Sequence, residues 1–200
     1  MTSDDILGEV EEVETTLPRA LVIFAEGAEE SEVVIIVDIL RRAGIETVLA
    51  GLNGDAPVLA SRKVRIVPDI ALANVTGSFD VIILPGGAEG ARRLAQSEMV
   101  GERLRKHAAE GKWVGAICAG PLAFVSHQMF AGRSMACHPS VASRIAMHGK
   151  LVQQPVVEDG NLITSQGPGT AFVFALTVVH KLIGDPRTGD VERGLMLMPR

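Results

Sequence analysis

The sequence predicts an α/β fold, a doubly wound and mainly parallel sheet with helices on both of its faces. Short apolar runs at 19–25, 80–84 and 113–117 are typical of parallel strands that are covered on both sides. Segments whose apolar residues recur at helical spacing lie between these runs, and the links are short. The composition, with 47% hydrophobic and 22% charged residues, is that of an ordinary globular protein.

The first half of the chain is predicted to begin with a strand at 19–25 and a helix at 29–43. This helix has acidic residues in its first turn and arginines in its last turn, and both are favourable to its dipole. A second strand follows at 45–52. Residues 57–67 then predict two short antiparallel strands around Ser61-Arg62.

The second half of the chain continues the alternation of strands and helices. The strand at 80–84 ends at Pro85-Gly86-Gly87, and helices follow at 90–96 and 98–110. The remaining predicted elements are, in order, a strand at 113–117, a helix after Pro121, a short helix at 141–147, a strand pair at 156–158 and 162–165, a helix at 170–182 and a short final helix.

The net charge of −5 is unevenly distributed. Residues 1–17 carry six carboxylates and no basic residue, which leaves 19 basic and 18 acidic groups for the rest of the chain. Acidic sequence without aromatic residues buries too little surface to offset its ordering entropy. We therefore expect residues 1–17 to be a disordered tail and residues 18–200 to form a single domain. The nearly neutral body gives no reason to expect nucleic acid or a membrane as a partner.

The chain is expected to be soluble and cytoplasmic. Its two cysteines, Cys118 and Cys137, are too few for a disulfide framework, which favours a reducing compartment. No stretch approaches the roughly 18 uninterrupted apolar residues of a membrane span, and the acidic N-terminus resembles no targeting peptide. We expect neither a metal nor a cofactor, because the sequence has no recognisable metal-ligand spacing and no phosphate-binding loop.

The stretch from Trp113 to Pro121 carries the strongest functional signal. Its apolar strand reaches Cys118 between small residues, and a helical pattern follows Gly120-Pro121. This is the layout of a nucleophile elbow, in which a tight strand-to-helix turn presents one side chain above the sheet. The helix N-terminus would favour the thiolate form of Cys118. The alternative is that Cys118 is an ordinary buried thiol.

Two other loops are predicted to meet Cys118 at the carboxyl ends of the strands. Glu32 follows the first strand and is either a surface carboxylate that compensates the helix dipole or a buried acid beside the thiol, with a raised pKa. Gly86-Gly87 either marks a turn or directs N–H groups at a reacting oxygen. His138 lies in a loop beside Pro139, where a structural role and a catalytic role both remain open.

Several motifs occur together in one order and resemble a known family. They are Gly-Ala-Glu-Glu-Ser-Glu, Arg-Arg-Ala-Gly-Ile, Leu-Pro-Gly-Gly, Gly-Ala-Ile-Cys-Ala-Gly-Pro, His-Pro and Thr-Ser-Gln-Gly-Pro-Gly-Thr-Ala-Phe. From about Arg19 to its end, the chain resembles the parkinsonism-associated deglycase (DJ-one) branch of the ThiJ/PfpI superfamily. The resemblance implies a flavodoxin-like fold and a homodimer, whose contact surface would include the first helix and the hairpin at 57–67.

The resemblance also implies which residues form the site. Cys118 would be the reactive cysteine, Glu32 its protonated partner and His138 the active-site histidine. The implied oxyanion- and substrate-binding positions are the N–H groups of Gly87 and Ala119, Arg62 from the hairpin of a partner chain, and Pro168 from the last loop.

The implied activity is cofactor-independent conversion of methylglyoxal to lactate (glyoxalase III) or repair of early glycation adducts. The alternative is a redox-sensing, chaperone-like protein that acts through oxidation of Cys118. Proteolysis is not expected, because Ala119 stands where the peptidase branch has a histidine. Gln166 replaces an arginine of close relatives, and Val67 replaces a hairpin cysteine of some of them.

Overall fold

The computed structural model describes residues 17–197, so the predicted acidic tail lies outside the described residues except for Leu17. The strands are β1 (Arg19–Phe24), β2 (Glu46–Gly51), β3 (Val58–Leu59), β4 (Arg65–Ile66), β5 (Ile70–Ala71), β6 (Val81–Leu84), β7 (Trp113–Ile117), β8 (Ser134–Met135), β9 (Lys150–Leu151), β10 (Val156–Asp159) and β11 (Leu162–Ser165). The α-helices are α1 (Glu30–Arg42), α2 (Ala88–Gln96), α3 (Glu98–Ala109), α4 (Leu122–Ser126), α5 (Ala142–His148), α6 (Ala171–Ile183) and α7 (Asp185–Gly194).

Seven strands form the central sheet, in the order β10-β11-β7-β6-β1-β2-β5. Every neighbouring pair is parallel except β10 and β11. The predicted fold class, a mainly parallel α/β sheet with helices around it, is therefore confirmed. The strand order reverses between β1 and β6, which is the switch point where ligands bind in open α/β sheets.

The central strands are apolar because both of their faces are covered. Residues 20–24 of β1 and all four residues of β6 are buried. Helices α1 and α6 pack against each other, as do α2 and α4. The strands β1, β6 and β7 thus form a rigid support whose carboxyl ends all lie at one edge of the sheet.

The structure adds elements that the sequence pattern did not predict. Strand β5 extends the sheet beyond β2, and β8 pairs with β9 in a separate parallel ladder. Each of these strands has two residues, which is too short for an alternating pattern to be recognised.

Helix α1 has more apolar residues than one stripe requires, and the single chain already covers most of them. Val33, Ile36 and Val37 are buried, whereas Val34 is exposed. The contact with α6 contributes to this coverage. The apolar excess of α1 is therefore largely explained without a partner chain.

The start of α2 packs directly on the loop between β1 and α1. A Cβ atom on Gly90 would lie 2.6 Å from both the N and the Cα atom of Ala28. These are backbone atoms that cannot rotate away, so the position excludes a side chain. This contact holds the loop after β6 against the loop after β1.

We expect Gly90→Ala to lower the free energy of unfolding by about 2 kcal/mol, because the added methyl group overpacks a backbone contact. The matched control is Gly189→Ala in α7, where a Cβ atom would meet only the Arg193 guanidinium at 3.4 Å. That change should stabilise the protein by about 0.5 kcal/mol through helix propensity. Urea unfolding of both variants measures the two effects. Equal effects would show that the close approach at Gly90 is not a constraint.

Candidate active site

Cys118 occupies a strained turn between β7 and α4. Its φ of 64° is positive, a conformation that is rare for residues other than glycine. A Cβ atom on the neighbouring Gly120 would lie 2.5 Å from the carbonyl oxygen of Leu84, so the turn requires a glycine there. The Cys118 N–H donates to the Ser165 carbonyl at 3.0 Å, and its carbonyl accepts from the His138 N–H at 2.9 Å. This geometry agrees with the predicted nucleophile elbow.

The first turn of α1 holds the peptide groups of Gly86 from both sides. The Glu29 N–H donates to the Gly86 carbonyl at 3.1 Å, and the Gly86 N–H donates to Oε2 of Glu32 at 2.7 Å. A Cβ atom on Gly86 would lie 2.5 Å from Cβ and 2.9 Å from Sγ of Cys118, and 2.8 Å from Oε2 of Glu32. Thiol and carboxyl thus meet in a space that exists only because residue 86 is glycine.

Gly87 follows with a φ of 84° and is the N-cap residue of α2. A Cβ atom there would lie 2.5 Å from the backbone nitrogen of Glu29, so a side chain is excluded. The N–H groups of Gly87 and Ala119 lie near the Cys118 sulfur and act to lower the pKa of the thiol. Two loops therefore place donors around the same sulfur atom.

Glu32 is a fully buried carboxyl, with 0% of its surface exposed. Burial raises its pKa to about 7, the nearby Glu29 carboxylate adds to the rise, and hydrogen bonds from the Gly86 N–H and with the Cys118 thiol oppose it. Its Oε1 atom makes no hydrogen bond of ordinary geometry with the described residues. Glu32 is therefore not the surface carboxylate of the alternative interpretation.

Burial also raises the pKa of the Cys118 thiol, and the ionised Glu32 carboxylate raises it further. The predicted effect of a helix dipole is not the controlling one, because α4 has only five residues and the thiol exposes only 9% of its surface. Two acids in contact lose their protons in two steps that belong to the pair. The pair loses the first proton near neutral pH and holds the second strongly. In the singly protonated pair, the proton lies either on the Cys118 thiol, which the more strongly raised thiol pKa favours, or on Glu32, which leaves a thiolate on Cys118.

A cleft of about 430 Å³ opens above the Cys118 sulfur. Six of the seven predicted site residues line it, and Glu32 lies buried beside the thiol. The six are Cys118, Ala119, Gly87, His138, Arg62 and Pro168. Arg62 contributes to the cleft of its own chain, whereas the resemblance implied the hairpin of a partner chain.

The His138 ring is exposed at the cleft and turns its Nδ1 atom towards Ser140. The Ser140 N–H donates to Nδ1 at 3.2 Å, and the Ser140 hydroxyl lies 2.8 Å from the same atom. Because Nδ1 accepts a hydrogen bond, the neutral ring carries its proton on Nε2. The ring makes no described hydrogen bond with Cys118 or Glu32, so its link to the elbow is through the backbone.

Sequence reasoning gave no catalytic role to Glu29, Ser61 and Ser140, which also line the cleft. The sequence pattern assigns Glu29 only to compensation of the helix dipole. The contact between Glu29 and Ser61 joins residues 32 apart in the chain, which no local pattern reveals.

The remaining features considered from the sequence do not contribute to this site. Cys137 is buried, its thiol pKa is raised to about 11 by burial, and it does not line the cleft. Residues 17–197 contain no group of three His, Cys, Asp or Glu side chains that could hold a metal ion. In the same range, no helix has the length and apolar character needed to cross a membrane.

Comparison with known proteins finds chains that are similar to this one in sequence and in fold. The model of the DJ-1/PfpI family matches residues 18–181. The Parkinson disease protein 7 homolog of Danio rerio is 45% identical over 183 residues, which cover 90% of this chain and 97% of that protein. The glutathione-independent glyoxalase DJR-1.2 of Caenorhabditis elegans is 41% identical over 174 residues, covering 86% and 92%. The crystal structure of Drosophila melanogaster DJ-1beta superposes with a TM-score of 0.90 at 43% identity, covering 92% of this chain and all of that one.

The raised pKa of Glu32 predicts that this residue makes stability depend on pH. A carboxyl that binds its proton more tightly when folded stabilises the protein below its unfolded pKa of 4.5, and this contribution is lost as pH rises to about 7. We expect the free energy of unfolding to fall between these values by about 3 kcal/mol more in the wild type than in Glu32→Gln. Urea unfolding at pH 5 and pH 8 tests this. Parallel pH profiles for the two proteins would show that Glu32 titrates normally.

Proposed function

Because the chain belongs to the DJ-1/PfpI family, we propose that it is a cofactor-independent, cysteine-dependent glyoxalase that converts methylglyoxal to lactate. The observation that supports this most directly is the contact between Cys118 and the buried Glu32 beneath two N–H donors. A nucleophile, a proton-transfer group and an oxyanion site are the three parts that such a reaction requires. The name of the Caenorhabditis elegans relative supports the same class of reaction.

The proposed reaction begins when the Cys118 thiolate adds to the aldehyde carbon of methylglyoxal, forming a carbon–sulfur bond. The aldehyde oxygen becomes an alkoxide and takes the proton from Glu32, which gives a hemithioacetal. The N–H groups of Gly87 and Ala119, which lower the pKa of the thiol, are proposed to stabilise the new oxygen on the adjacent carbon.

Glu32, now ionised, removes the hydrogen from the former aldehyde carbon and returns it to the neighbouring carbon through an enediol. His138 relays the second proton, from the hydroxyl of the first carbon to the oxygen of the second. The first carbon is oxidised to a thioester while the second is reduced to an alcohol. The step is therefore balanced within the substrate and requires no external oxidant. Water then cleaves the thioester to lactate and the free thiol.

The remaining cleft residues are proposed to position the substrate. Arg62 and Pro168 line the cleft, the first from the hairpin and the second from the segment after β11. A volume of about 430 Å³ far exceeds what a three-carbon substrate fills. Early glycation adducts, which carry the same two carbons on a larger group, are therefore a second substrate class for the same chemistry.

A second candidate function is redox sensing through Cys118. The buried Oε1 atom of Glu32, which has no ordinary hydrogen-bond partner among the described residues, favours it. When protonated, this group can donate to an oxygen atom added to the sulfur, so the site that serves catalysis also suits an oxidised cysteine.

Cys118→Ala is expected to reduce methylglyoxal turnover by roughly 10³-fold or more, because the covalent route is lost. The fold should persist, since alanine meets the same backbone strain at positive φ. The matched control is Cys137→Ala, which removes the other buried thiol and should retain activity. Lactate formation by the purified variants measures the effect. Retained activity in Cys118→Ala would exclude covalent catalysis there. Absence of turnover in the wild type would favour sensing.

We further propose that the chain forms a homodimer through α1 and the β3–β4 hairpin. Val34, Val64 and Val67 leave 53%, 50% and 63% of their surface exposed. The Glu30 carboxylate, one turn before Val34, accepts the Arg62 N–H at 2.7 Å and the Val64 N–H at 3.4 Å. These bonds hold the hairpin against α1, so the exposed valines lie on two elements that are fixed to each other.

Light scattering should then give about twice the 21.2 kDa chain mass at micromolar concentration. The double variant Val34→Asp, Val67→Asp should shift the mass to that of one chain, because each change places a charge at the proposed contact. Met147→Asp is the control, since Met147 is an exposed apolar residue on α5, outside the proposed contact. A wild-type protein with the mass of one chain would contradict the dimer.

A further inference from the structure

The carboxylate of Glu29 lies at the edge of the cysteine cleft, and the proposed reaction gives it no role. Glu29 is the N-cap residue of α1, and its Oε1 accepts from the Ser31 hydroxyl at 2.7 Å. Its Oε2 lies 3.0 Å from the Ser61 hydroxyl on the hairpin. Two serines on different elements therefore fix the direction of this side chain.

The Ser61 hydroxyl is shared between two carboxylates. It lies 2.7 Å from Oε2 of Glu30 as well as 3.0 Å from Oε2 of Glu29, and a hydroxyl has only one proton to donate. Burial acts to raise the pKa of Glu30, but N–H donors, including those of Arg62 and Val64, and the Ser61 hydroxyl lower it overall. Glu30 is thus held ionised below the hairpin, and Glu29 is anchored beside it facing the cleft.

Glu29 and Glu32 are the N-cap and N3 residues of the same helical turn. Both form hydrogen bonds with Gly86, Glu29 through its N–H and Glu32 through its carboxyl. In a common capping box the N3 carboxyl turns back to the N-cap N–H. Here both groups turn to the glycine loop instead, and Glu29 lines the same cleft as Cys118.

We propose that Glu29 is a positioning residue whose negative charge sets the pH at which the Cys118–Glu32 pair loses its first proton. A fixed negative charge near a poorly solvated pair opposes the appearance of a second one. The pair therefore keeps both protons to higher pH than it would without Glu29. This proposal rests on the proposed function, because loss of the first proton gives the singly protonated pair from which the reaction starts, but its test does not require turnover.

The other charged groups around the pair act from less favourable positions. The Arg62 side chain and the His138 ring line the cleft but are exposed, so water screens them. Glu30 directs its carboxylate at the hairpin N–H groups. Glu26 is exposed and pairs with Arg93 at 3.4 Å. Among the described residues that line the cleft, Glu29 is the one carboxylate.

The test measures the rate of Cys118 alkylation by iodoacetamide against pH, in a Cys137→Ala background so that one thiol reacts. Glu29→Gln removes the charge and keeps the shape of the side chain, with an oxygen that can accept from one of the two serines and an amide N–H that can donate to the other hydroxyl. Because the pair then ionises more easily, the midpoint of the profile should move to lower pH by on the order of half a unit. Glu29→Asp keeps the charge and should stay near the wild-type midpoint. Thermal unfolding confirms that each variant is folded.

The matched control is Glu26→Gln, which removes one negative charge from the same loop but outside the cleft. Its midpoint should stay within about 0.1 unit of the wild type, since solvent screens an exposed charge. An unchanged midpoint in Glu29→Gln would overturn the proposal. An equal shift in Glu26→Gln would also overturn it, because net charge alone would then explain the effect. If the wild type turns over methylglyoxal but the alkylation midpoint of Glu29→Gln is unchanged, only the glyoxalase proposal is supported. If the midpoint shifts but the wild type shows no turnover, only the role of Glu29 is supported.

Discussion

The site depends on one close approach, the meeting of Cys118 and Glu32 over Gly86. A single Cβ atom at residue 86 would collide with both side chains. The same glycine is bonded through its N–H and its carbonyl to the first turn of α1. The distance between thiol and carboxyl is therefore controlled by backbone contacts between three loops, and not by flexible side chains.

Each of these loops leaves a strand of the rigid central sheet. α1 follows β1, the glycine loop follows β6, and the elbow follows β7, and these strands are neighbours in the order β7-β6-β1. Because parallel strands end at the same edge, the three loops converge without a long connection. The absence of side chains at Gly87 and Gly90 then lets the loops pack on one another at backbone distance. The geometry of the site thus follows from the strand order and from the positions of the glycines.

The sequence predicted the parts of this site that local pattern encodes. The apolar runs of β1, β6 and β7, the elbow at Cys118 and the glycine pair are all readable from consecutive residues. Glu32 remained ambiguous, because a carboxylate in a first helical turn looks the same whether it faces solvent or sulfur. The two interpretations differ only in burial, which depends on contacts with residue 86, 54 positions away in the chain. The shared hydroxyl of Ser61 was missed for the same reason.

A buried carboxyl next to a buried thiol is unfavourable for stability, since desolvation raises the pKa of both. The same arrangement is suited to a reaction with a neutral substrate. Two ionised groups in contact would repel each other, and two protonated groups would offer no nucleophile. A pair that holds one proton has both a nucleophile and a proton donor within one contact whenever that proton lies on Glu32. The environment that strains the fold at this point is therefore the same one that makes the pair reactive.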